Sequence, residues 1–161
     1  MERRQLLFGA AATTLLAGVL PAEAQRAIES AKLPALQGGN FATLSSELAR
    51  RRSRSSAVRN FARLEINEQA AVAAAFGARP GAGGVNRRQA AMLEELEGLR
   101  GGAFDAAYID GQIMGHEELL TIHRRYARRG SDSMARGASM VAVPSIETHL
   151  SILSGLRRTV G

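Results

Sequence analysis

The chain has 161 residues and a net charge of +6 carried almost entirely by arginine, with no cysteine and no tryptophan. The missing cysteine excludes disulfides, thiolate metal sites, iron–sulfur clusters and a lipid-modified cysteine anchor. Two tyrosines and no interleaving of basic with aromatic residues exclude a base-stacking surface, so nucleic acid is not an expected partner.

The N-terminus reads as a targeting segment. Arg3 and Arg4 precede an apolar run that extends to Leu20, followed by Pro21-Ala22-Glu23-Ala24-Gln25, whose small residues suit signal-peptidase cleavage after Ala24. The paired arginines followed by Gln5-Leu6-Leu7 resemble a twin-arginine signal, which exports folded proteins; an ordinary secretory signal with two arginines is the other reading. The run is too short for an uncleaved span, which needs about 20 apolar residues. Residues 1–24 are therefore expected to be a cleaved signal peptide, and residues 25–161 one periplasmic domain that is not integral to the membrane. A domain of that size buries a real core.

Alanine, leucine, arginine and glutamate dominate the remainder of the chain, between glycine-rich breaks, and nothing reads as a run of strands. A first helix is expected from Phe41 to Arg52 after a break at Gly38-Gly39-Asn40, with an earlier turn from Gln25 to Lys32 ended by Pro34. Ser55 or Ser56 caps a second helix running to about Ala78, which Arg79-Pro80-Gly81 stops. A shorter helix fits Arg87 to Leu99. A long one runs from Ala103 to Arg129, and a last, capped by Ser131 or Asp132, runs to about Arg158. Pro144 lies inside that last helix and should kink it, because proline lacks an amide hydrogen and crowds the preceding turn. The segment from Arg79 to Gly102 is far longer than a tight loop, as a crossover requires. The expected fold is all-α: a ferritin-like four-helix bundle with an additional short crossover helix and a kinked last helix.

Sites in bundles arise where polar side chains interrupt the apolar stripes of facing helices. The second helix carries Val58, Phe61, Glu65, Glu68 or Gln69, Val72 and Phe76 at helical steps. Either Glu65 lies in that buried line, or the stripe rotates through Leu64 and Ile66 and leaves Glu65 at the edge. The long helix aligns Phe104, Tyr108, Gln112, His116, Leu119 and His123. His116 and His123 are about 10 Å apart along the axis, too far to share an ion. His123, beside Arg124 and Arg125, reads as a partly exposed residue near the helix end. On the last helix Val141, Ser145, His149, Ile152 and Leu156 share a face, so His149 can meet His116 across the bundle. Glu65, Glu68, His116 and His149 are the candidate ligands, a set suited to iron, manganese or zinc. The competing reading makes both histidines core residues hydrogen-bonded to their neighbours.

Phe104-Asp105-Ala106-Ala107-Tyr108 with Gly115-His116-Glu117, and Val143-Pro144 with His149-Leu150, resemble the ferritin-like domain of unknown function 4142 from about Phe41 to Leu156. The resemblance implies a ferritin-like fold and an exported protein of the bacterial envelope. It also implies an acidic residue on the first helix, where this chain has Ala42, and a histidine on the second, where it has Gln69. Both departures remove ligands that a complete ferritin-type site would use.

Three functional readings remain: an exported bundle that is non-catalytic or weakly metal-binding, a metal-dependent oxidase or ferroxidase, and a module binding anionic envelope components. The last would work through the arginine clusters Arg50 to Arg54, Arg124 to Arg129, and Arg157 with Arg158. Their ordinary role is to complement helix C-termini and aid solubility. Up-down-up-down topology would bring the first two clusters to one end, whereas a crossover separates them.

Overall fold

A computed structural model describes residues 29–160; residues 1–24, expected from the sequence to be a signal peptide, lie outside the described residues. Among the described residues five helices succeed one another: α1 (Leu33–Arg52), α2 (Ser56–Ala75), α3 (Arg87–Gly98), α4 (Gly101–Arg129) and α5 (Ser133–Arg157). There is no strand among the described residues.

Four of the five starts have a local cause. The Ser55 side chain accepts from the Val58 amide at the head of α2, and Asp132 accepts from the Met134 and Ala135 amides at the head of α5. Asn86 and Gln89 form a reciprocal capping box on α3. Pro34 stands in the first turn of α1, where its missing amide hydrogen costs nothing. That helix therefore begins eight residues before the expected Phe41, and Gly38-Gly39 lies inside it rather than breaking it. These glycines permit close approach: a Cβ on Gly38 would lie 2.6 Å from Leu119 of α4, and one on Gly39 would overlap the Gln69 amide of α2. α5 continues through Pro144 to Arg157.

Side-chain pairs define the topology. Ser53 with Arg59, and Gly39 against Gln69, set α1 and α2 antiparallel. Ser46 with Tyr108, and Gly38 against Leu119, set α1 and α4 antiparallel. His123 with Ser139, and Asp110 with Arg157, do the same for α4 and α5. α2 and α4 consequently run parallel, and the segment containing α3 crosses the bundle lengthwise to join them, packing on α1 and α4. This is the ferritin-like connection. It sends the arginines ending α1 and those ending α4 to opposite ends, while Arg157 and Arg158 join the α1 group.

The inner face of α1 is built from Ala35, Gly38, Gly39, Ala42, Ser45, Ser46 and Ala49, which brings its backbone near the bundle axis. Larger residues fill the rest, with Phe61, Phe104, Tyr108, Ile109 and Leu153 at one end and Phe76 with Tyr126 at the other. At the latter end Lys32 joins three elements, reaching the Phe76 carbonyl and, at 2.7 Å, the Asp132 carboxylate. Among the described residues no helix is long and apolar enough to cross a membrane.

Candidate metal centre

Midway along the bundle, α2, α4 and α5 each contribute one side chain to a buried cluster. Glu65 is 0 % exposed, which settles the phase of α2: the carboxylate is in the core and Leu64, at 53 %, is outside. His116 is 1 % exposed, and His149 lies across from it on α5. Glu65 Oε2 is 3.3 Å from His116 Nε2 and 3.2 Å from His149 Nδ1, and the two imidazole nitrogens are 3.3 Å apart. An ion about 2.1 Å from each ligand spaces neighbouring ligands by roughly 3.0 Å in an octahedron and 3.4 Å in a tetrahedron. The triangle has the dimensions of such a ligand face.

The outer atoms are committed elsewhere. His116 Nδ1 lies 2.8 Å from the Gln112 carbonyl, which can only accept, so this nitrogen carries a hydrogen and Nε2 turns a lone pair inward. His149 Nε2 lies 3.4 Å from Glu68 Oε2, which likewise turns Nδ1 toward the cluster. Glu65 Oε1 accepts from the Gln69 amide at 2.8 Å, whereas its buried Oε2 has no hydrogen-bond partner. Three electron-rich atoms thus converge, and burying them together is costly without a positive charge between them. Backing of ligand histidines by a carbonyl and a carboxylate is the usual outer arrangement of a metal site.

Without an ion, imidazole protons turned toward Glu65 take its place: burial alone would raise the Glu65 pKa, but hydrogen bonds from His116 and His149 then outweigh it and hold the carboxyl at about 2. The Glu65 hydrogen bond raises His149 above the ordinary histidine value, against the opposing effect of burial. Phe61 stands edge-on to His149, 5.4 Å between ring centres, and keeps that side dry.

Of the four candidate ligands, Glu65, His116 and His149 meet as one group, while Glu68 stands behind His149 with its second oxygen held by Ser145 at 2.7 Å. The α5 face named from the sequence is shifted by one position. Val141 is 71 % exposed, and Ala135, Ser139, Ala142, Ile146, His149 and Leu153 form the buried side. His123 is buried rather than partly exposed, covered edge-on by Phe76 and 3.0 Å from Ser139 Oγ. Sequence reasoning passed over Ser45 and Ser46, whose hydroxyls receive the Gln112 amide while Ser46 also pairs with Tyr108 at 2.9 Å. Their only signal was a pair of adjacent hydroxyls in a run of small residues. α1 thus meets α4 through neutral polar groups, and Ala42 supplies no ligand.

A four-helix bundle with a lengthwise crossover and an interior glutamate–histidine cluster belongs to the class of helical bundles that build sites from facing helices. Within that class, residues 20–156 match the domain of unknown function DUF4142, and the chain belongs to that family. No curated protein and no solved structure matches it.

Proposed function

We propose that this chain is an exported bundle protein that holds one divalent transition-metal ion between Glu65, His116 and His149. The observation carrying the proposal is the triangle of three inward-facing ligand atoms, 3.2 to 3.3 Å on each edge, with their opposite atoms engaged by Gln69, the Gln112 carbonyl and Glu68. Two neutral imidazoles and one carboxylate suit iron, manganese or zinc. Gln69 occupies Glu65 Oε1, which favours ligation through Oε2 alone.

The same donor set argues against a two-metal ferroxidase. Such a centre takes a carboxylate from each of two helices and a Glu-x-x-His motif from each of the other two. Here α1 has Ala42, and the position three residues after Glu65, where the motif places its histidine, is Glu68. The site is therefore read as mononuclear, with export to the periplasm inferred from residues 1–24. The test is metal analysis of untagged protein taken from the periplasm. About one ion per chain is expected, and none in His116→Ala or His149→Ala. Wild-type protein without stoichiometric metal, before and after incubation with iron, manganese and zinc, would return the cluster to the reading of a hydrogen-bonded core.

A further inference from the structure

Four side chains gather at the cluster, and they differ in access to solvent. The side chains of Glu65, His116 and His149 are 0 %, 1 % and 7 % exposed, whereas Glu68 is 28 % exposed. Glu68 lies on the seam between α2 and α5, with one oxygen held by Ser145 of α5 and the other 3.4 Å from His149 Nε2. Through the His149 ring the line continues to Nδ1 and the triangle. A cation leaving water loses its hydration shell and crosses apolar material only where ligand atoms replace that shell in steps. The seam supplies them in order, from solvent to carboxylate to imidazole to the buried carboxylate.

The surroundings favour this side. α2 and α5 carry three carboxylates between them; Glu65 belongs to the triangle and Glu147 is tied to Arg124 at 2.6 Å, which leaves Glu68 on the seam. Arg59, Arg136 and Arg157 bond to the Ser53 carbonyl, the Gly130 carbonyl and Asp110, away from the middle of the seam. Exposed Leu64, Val141 and Ile152 add apolar surface to the same two helices. The opposite approach is unsuited to a cation. Beneath residues 79–83 lies a cavity of about 20 Å³, and it meets Gln69 and Arg79 rather than a carboxylate.

We infer that Glu68 is the docking group through which a divalent cation passes along the α2–α5 seam to Glu65, His116 and His149. This rests on the metal-site reading above. A group on the path acts on the barrier, so its loss slows loading; a group that merely orients His149 acts on retention and speeds release.

The experiment tracks Co²⁺ loading of chelator-stripped protein by stopped-flow visible absorption, with release measured separately by excess chelator. The association rate of Glu68→Gln is expected to fall by about tenfold or more, within the range that outer partners of metal sites command. Ser145→Ala, which frees the carboxylate without removing it, should give a smaller fall. Glu147→Gln, on the outer surface of α5 and paired with Arg124, should load at the wild-type rate. An unchanged association rate in Glu68→Gln, with or without faster release, overturns the proposal, and so does an equal slowing in Glu147→Gln. If Glu68→Gln does not fold, the decision passes to Ser145→Ala, where an unchanged association rate is the overturning result. Wild-type protein that gives no Co²⁺ spectrum removes the metal site itself, and the path with it.

Discussion

His116 and His123 lie on the same face of α4, two helical turns apart and equally buried, yet their surroundings make them different chemical groups. Around His116 the facing helices present Glu65 and His149, and the layer holds charge: Glu65 is driven down and His149 up. Around His123 they present Ser139 and the edge of Phe76, and burial alone pushes the imidazole down to about 4. The lesson is that a buried histidine takes its role from the helix opposite. α2 makes the distinction, with Glu65 in one layer and Phe76 in the other.

Removing the distinguishing carboxylate should have the largest effect. Glu65→Gln keeps the shape of the side chain and loses the charge, so bound metal is expected to fall from about one ion per chain to none. The loss of affinity should exceed the ~100-fold that an outer partner costs, as read by metal analysis after dialysis.

The neutral layer should dominate acid stability. An unfolded chain protonates His123 near its ordinary value of 6.5, while the folded chain resists until about pH 4. Its contribution is therefore fully present above pH 6.5 and is lost as pH falls toward 4, by on the order of 3 kcal/mol. Urea melts of wild type and His123→Leu across that window should show a steeper decline in wild type; parallel curves would contradict the assignment.

The two layers can also be made alike. Ser139→Asp places a carboxylate beside His123 and should raise its pKa by about 1 to 3 units, measurable from the imidazole resonances during titration. The smallest of these effects concerns the support of Glu65. Gly39→Ala puts a methyl group where the Gln69 amide now lies, displacing it from Glu65 Oε1, and should weaken metal binding by about tenfold.

The bundle was largely legible because its helices are long, capped and separated by clear stops, and because the segment from Arg79 to Gly102 is too long for anything but a crossover. The first half of α1 was not. Pro34 and Gly38-Gly39 are helix-breaking residues in isolation, and only the presence of Leu119 and Gln69 across the bundle shows that the glycines serve close packing. His116 and His149 were visible as polar interruptions of apolar stripes. The order of Glu65 and Glu68 was not, since residues three apart lie on neighbouring lines of a helix and the partner helix decides which one turns inward. His123 was misjudged for the same reason, because its arginine neighbours give no sign that Phe76 covers it.

The lengthwise crossover has a consequence for when the centre comes into being. Because α2, α4 and α5 each supply one member, no fragment short of nearly the whole domain contains the site, and an unfolded chain has none of it. If the cluster holds metal as proposed, the compartment where the chain folds is then the one whose metal supply it samples first. A twin-arginine signal would expose the finished centre to cytoplasmic ions before export, whereas a general secretory signal would leave its first choice to the periplasm.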